Sequence, residues 1–312
     1  MKQKTATFVP LLFLAVYALL AFSQPLVGAV GDVSSNAFLS VSIVQFMVLL
    51  LPLAFYCGLN RRSFFKLVPL KLPALRDVPF VLFVACAFLF GEATLKYLTC
   101  AVFSQSAAQT SALVGVSLYT SNTALVILCF ILLPAVLEQM LFSGLVLSEY
   151  HEFGDLIAIL MSALFFAMAH FSFENFFFYL FYGFALALVT RITGTVLPAV
   201  FIAAISFALD VYLEDLFFDY ITKTGTSSLL FYFFCGLFLL FSFFAVAHLE
   251  KSYARRARSV KEGARAALEE ALPRKNREQD TLTFGAKLRL CFFSPLFILL
   301  ICLFVLLASG IL

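Results

Sequence analysis

The chain has 312 residues, 63% of them hydrophobic and only 12% charged, with 41 Phe and no Trp. That charged share is about half of what a water-soluble domain carries, so much of this surface must face lipid rather than water. A net charge of +3 offers little to a polyanion, and no nucleic-acid partner is expected.

About 20 apolar residues cross a hydrocarbon layer. On that measure the sequence predicts an all-α, polytopic bundle of about nine spans, at 8–29, 37–58, 79–102, 123–147, 155–172, 174–191, 195–213, 228–249 and 290–311. Lys2 and Lys4 precede the first span, as in a signal peptide. Its apolar stretch is long and no small-x-small cleavage site follows, so it is expected to stay as a helix. Residues 1–250 then form a transmembrane bundle, 251–289 a basic linker and 290–312 a C-terminal transmembrane helix.

Basic residues set the expected orientation. The 59–78 connection carries Arg61, Arg62, Lys66, Lys71 and Arg76, and the 251–289 connection carries eleven Lys and Arg from Lys251 to Arg289. Nine spans with a cytoplasmic N-terminus put both connections in the cytoplasm and the C-terminus outside. They also put 103–122 and a loop holding Glu214, Asp215 and Asp219 outside. The linker reads as a basic, Ala-rich helix broken near Pro273. It serves as a solvated connection or touches anionic headgroups. The seven cysteines show no CxxC spacing and read as small buried hydrophobes.

Two polar residues stand out. Glu138 lies inside the apolar run 123–142, and His170 ends the run 162–170. A carboxylate at membrane depth costs roughly 2.5 kcal/mol or more, and such residues mark functional sites by default. Snorkelling to the interface is the plainer alternative. Glu92 and Lys96 are i, i+4 in the third span, in the favourable order for a structural ion pair; an ion or proton relay is the sharper reading. Arg191 is expected to snorkel, Asp210, near the outer end of its span, to be either an interface residue or a substitute for an asparagine that its helix lacks, and His151 and His248 to stay hydrated at cytoplasmic ends. Gly183 and Gly194 read as packing and turn positions.

Residues 134–144 resemble the EExxxR motif of the CPBP intramembrane proteases, the family of type II CAAX prenyl endopeptidases and of bacteriocin-immunity and abortive-infection proteins. Phe166 and His170 resemble its FxxxH motif, and 182–200 is similar to its Gly-bearing helix and Thr-Gly turn. The resemblance covers a core at about 60–213. It implies an intramembrane endopeptidase in a bacterial plasma membrane, with Glu138 and His170 as catalytic residues that activate a water against a peptide carbonyl. Its implied partners are the lipid bilayer and a membrane-anchored peptide or membrane protein.

Four motif positions depart from the family. Gln139 stands where the second glutamate would be and Ser143 where the arginine would be, so an ion pair is replaced by a neutral i, i+4 pair. Ala203 and Phe207 occupy the HxxxN positions whose side chains would hold an oxyanion. No cofactor is expected. Zinc enters only by analogy with the family, and one Glu and one His fall short of the three protein ligands of a catalytic zinc site. Three functions follow: an endopeptidase with a reduced catalytic set, an inert relative that binds a membrane peptide in the same place, or an unrelated transporter with Glu138 on a polar path. The absence of an internal repeat weighs against the last. One tension stands in the expected boundaries: Glu138 falls about nine residues from the cytoplasmic end of its span, and His170 about fifteen into the next.

Overall fold

The computed structural model describes residues 2–21, 37–59, 64–103, 123–224, 229–269 and 283–309. Those residues are almost all helical, with no strand among them. The helices in chain order are α1 (Lys2–Ala21), α2 (37–59), α3 (Val78–Val102), α4 (Thr123–Phe153), α5 (Asp155–Ala169), α6 (Phe176–Thr193), α7 (Leu197–Thr224), α8 (Leu229–Glu269), α9 (Phe284–Phe292) and α10 (Pro295–Ala308). The expected polytopic helical bundle is the architecture found. Among the described residues, six helices are long and apolar enough to cross a membrane, or seven if α9 and α10, bent by 54°, make one span. The other two expected spans correspond to shorter apolar helices, Thr7–Leu20 and Asp155–Ala169.

Helix boundaries differ from expectation at three places. α4 does not stop at 147 but continues to Phe153, because the polar-looking Glu149 and Tyr150 are buried in the bundle. α7 runs on to Thr224, so Glu214 and Asp219 sit on a helix and not in a loop. α8 is one continuous helix of 41 residues that carries the first part of the basic linker. The expected break near Pro273, the loop 104–122, Arg61 and Arg62 lie outside the described residues.

α4 is central. It packs against α2, α5, α6 and α7, while α6 packs on both α5 and α7, and α8 lies along α3. Two π-helical stretches, Ile127–Leu132 and Met140–Val146, interrupt α4. Such bulges often mark functional segments of helices. Ser162 on α5 donates a buried hydrogen bond of 3.0 Å to the Phe142 carbonyl in the second stretch.

The α5–α6 contact is close enough to demand glycine. A Cβ on Gly183 would sit 2.9 Å from the Cα of Ala163 and 2.9 Å from the Cβ of Phe166. Helices in lipid associate through such close packing, since burying apolar surface gives little advantage there. Gly194 ends α6 at φ 72°, a left-handed cap that glycine adopts without penalty. The next residue, Thr195, donates from its hydroxyl to the Pro69 carbonyl at 3.0 Å and accepts from the Lys71 amide at 3.2 Å. This clasp, with Arg191 paired to Asp155 at 2.8 Å, gathers the 67–74, 151–155 and 191–196 connections at one end of the bundle. Arg191 therefore has a protein partner and does not merely snorkel, and His151 also pairs with Asp155, at 3.0 Å.

A buried charge cluster ties α3 to α7. The Nζ of Lys96 is 3.3 Å from Glu92, 3.2 Å from Glu214 and in contact with Asp210. Ser206 donates to the second oxygen of Glu92 at 2.7 Å. The expected Glu92–Lys96 pair is present but is half of a larger group. Asp210 is not an interface residue, because α7 turns it inward onto Lys96. His248 also departs from expectation: its Nδ1 is buried, without a hydrogen-bond partner.

Two expected outcomes follow. Gly183→Ala lowers stability by about 1–3 kcal/mol, whereas Gly236→Ala, at a helical position with open space around it, is neutral or slightly stabilising; thermal melts in detergent compare them. Lys96→Met leaves three carboxylates without their cation and costs about 3–5 kcal/mol. Adding Glu92→Gln and Asp210→Asn recovers most of that loss in the same assay.

Candidate functional site

Glu138 and His170 are the same number of residues from the connection between α4 and α5. Phe153 closes α4 fifteen residues after Glu138, and Asp155 opens α5 fifteen residues before His170. The sequence-based mismatch arose from ending α4 at 147.

His170 caps α5. Its Nδ1 lies 2.9 Å from the Phe166 carbonyl. A carbonyl only accepts, so Nδ1 carries the proton and the neutral ring leaves Nε2 as an acceptor. The ring stacks on Tyr179 of α6, with centroids 3.8 Å apart and planes at 18°. Phe171, directly after it, has φ 48°, a left-handed conformation that costs a bulky residue energy. Its ring is packed edge-on against Tyr17, whose hydroxyl donates to the Met168 carbonyl at 3.0 Å. α1 thus holds the turn that aims His170.

Glu138 has one carboxylate oxygen, Oε2, buried without a hydrogen-bond partner. No hydrogen bond joins it to His170. The two are linked instead through α6: Tyr179, which stacks on His170, lies within electrostatic range of Glu138. Tyr182, one turn further on, is also within range of Glu138, and of Glu92 and Asp210. Its ring stacks between Phe166 of α5 (5.0 Å, 4°) and Phe207 of α7 (6.1 Å, 22°). Tyr182 is 2% exposed, and its hydroxyl lies beside Ser206 without a well-formed hydrogen bond. Sequence reasoning passed over Tyr179 and Tyr182, although a tyrosine in an apolar run carries a polar tip that needs a partner.

The four departing positions are all close to this core. Ser143 donates a buried hydrogen bond of 2.6 Å to Gln139 Oε1, so the expected neutral i, i+4 pair is formed. Gln139 Nε2 stays buried and unpartnered. Beside Ser143 is a cavity of about 130 Å³, also lined by Leu67, Pro69, Gly144, Thr190 and Arg191. Ala203 is buried, and Phe207 packs on Tyr182. A larger cavity, about 340 Å³, lies at the charge cluster, lined by Glu92, Lys96, Asp210 and Glu214 and not by Glu138 or His170.

Zinc does not fit this site. Glu138 and His170 supply two donors, and Gln139, Ser143, Ala203 and Phe207 add no His, Cys or carboxylate. Among the described residues no group of three such side chains is placed to hold a metal ion.

The apolar helices identify an integral membrane protein. None of the curated proteins and none of the solved structures compared with the chain matches it. Residues 120–208, which hold Glu138, His170 and the α5–α6 contact, match the family model described as Type II CAAX prenyl endopeptidase Rce1-like, and this stretch of the chain is similar to that family.

Proposed function

We propose that this membrane protein hydrolyses a peptide bond of a membrane-anchored substrate, at a slow rate, with a water activated by Glu138 and His170. The observation that carries the reading is the buried, unpartnered Oε2 of Glu138, as many residues from the α4–α5 connection as His170. Buried polar atoms are almost always paired, so an orphan in a protease-like stretch is best explained by a water or substrate group that it receives. In a dry site a carboxylate loses the solvent that would weaken it as a base, and it takes a proton from water. The free Nε2 of His170 orients that water or passes the proton on. No metal takes part in these steps. We further place the N-terminus and the basic connections on the cytoplasmic side of a bacterial plasma membrane, following the charge asymmetry.

A second reading has its own support. Phe207 and Ala203 leave the HxxxN positions without a side-chain donor, and a site so reduced suits a relative that binds a membrane peptide without cutting it. Losing one oxyanion donor costs about 100-fold or more in rate.

Purified protein in detergent micelles is expected to cleave a membrane-anchored peptide, and Glu138→Gln and His170→Ala each to lower the rate by about 100-fold or more. Chelators leave the rate unchanged. If no cleavage occurs but the peptide is retained, the second reading holds; if a chelator abolishes cleavage and zinc restores it, the water-activation scheme is wrong. The neutral pair supplies a separate check. Gln139→Glu places a second carboxyl beside Glu138 and lowers the melting temperature, because two close carboxylates do not both ionise freely. Adding Ser143→Arg, next to the 130 Å³ cavity, recovers much of the loss. A Gln139→Glu variant as stable as the parent refutes this account of the pair.

A further inference from the structure

Tyr182 is a buried tyrosine whose ring touches two motif-bearing helices, α5 and α7. It sits on α6, its ring lies against Phe166 of the FxxxH turn on one side and Phe207 of α7 on the other, and Phe88 of α3 meets it edge-on at 4.8 Å. These contacts fix the ring and therefore the direction of the hydroxyl. That hydroxyl is buried beside Ser206 without a well-formed hydrogen bond to it, while Ser206 gives its own proton to Glu92. Glu138, within electrostatic range of Tyr182, also keeps an orphan oxygen. A hydroxyl and a carboxylate oxygen that each lack a well-formed hydrogen bond thus lie on α6 and α4, two helices that pack together. Leaving either unpaired costs about 1–3 kcal/mol.

We propose that Tyr182 donates its hydroxyl hydrogen bond to the carbonyl oxygen of the bound peptide and holds the oxyanion that forms on it. This rests on the hydrolytic reading above and gives that reading the donor that Ala203 and Phe207 lack. A proton of the water passes to Glu138 as the water oxygen bonds to the carbonyl carbon. The carbonyl π pair moves onto oxygen, and the negative charge is held by the Tyr182 O–H. Collapse of the tetrahedral species re-forms the carbonyl and breaks the C–N bond, and the departing nitrogen takes the proton back from Glu138. Acid and amine are released with no further reactant. Position 207 is next to the Tyr182 ring, so a donor regained there would reach the same space.

Tyr182→Phe keeps the stacked ring and removes the hydroxyl alone. The expected result is a fall in kcat of about 100-fold, with KM for a membrane-anchored peptide unchanged and a thermal melt no lower than the parent's. Tyr182→Phe with Phe207→Asn is expected to recover at least part of the lost kcat. Parental kcat in Tyr182→Phe overturns the proposal while the Glu138 reading stands. A loss of activity that follows a lowered melt or a raised KM also overturns it, because the hydroxyl then acts in folding or binding. If the parent itself does not cleave, and Glu138→Gln changes nothing, both the hydrolytic reading and this proposal fall.

Discussion

In hydrocarbon, the usual reason for helices to pack is missing, because lipid chains are as apolar as leucine. What fixes this bundle is the cost of leaving a polar atom alone there. Lys96 illustrates it: one ammonium group, 7% exposed, is met by carboxylates from two helices, and the third and seventh helices are locked in register by that single cation. α6 then has a fixed wall to lie against, and Gly183 lets α5 close onto its other face. The site residues are set by these two contacts and have few direct bonds to one another.

The motif-bearing stretch shows a neutral solution to the same problem. Where the family pattern would place an ion pair, a serine hydroxyl and a glutamine carbonyl make one short hydrogen bond. Replacing both ends of a buried ion pair keeps the helix free of uncompensated charge. The exchange is incomplete, since the glutamine nitrogen finds no acceptor.

Much of this could be read from the residues. The helical class, the nine apolar segments, the Glu92–Lys96 pair, the Gln139–Ser143 pair and the roles of Gly183 and Gly194 follow from hydropathy, helical spacing and the lack of a side chain. What could not be read depended on tertiary neutralisation. Glu149 looks like the start of a loop, and Asp210 and Glu214 look like the end of a span, because a linear scan scores each charge as if it faced solvent. The structure buries Glu149 and Glu214 and half-buries Asp210 against Lys96, and the helices run on. Glu138 and His170 were legible as residue types. Their equal spacing from the α4–α5 connection depended on where α4 ends, and their link through Tyr179 and Tyr182 depended on which face of α6 meets which neighbour.

α8 has a mechanical consequence. Its apolar part, Leu229–Lys251, takes up 23 of its 41 residues. The remaining 18, drawn out at 1.5 Å each, form a rod of about 27 Å. Salt screens surface charge within about 10 Å. A rod of that length standing normal to a bilayer would carry its outer turns beyond the reach of the headgroup field. The basic segment thus begins as a continuation of a membrane helix and shares that helix's axis.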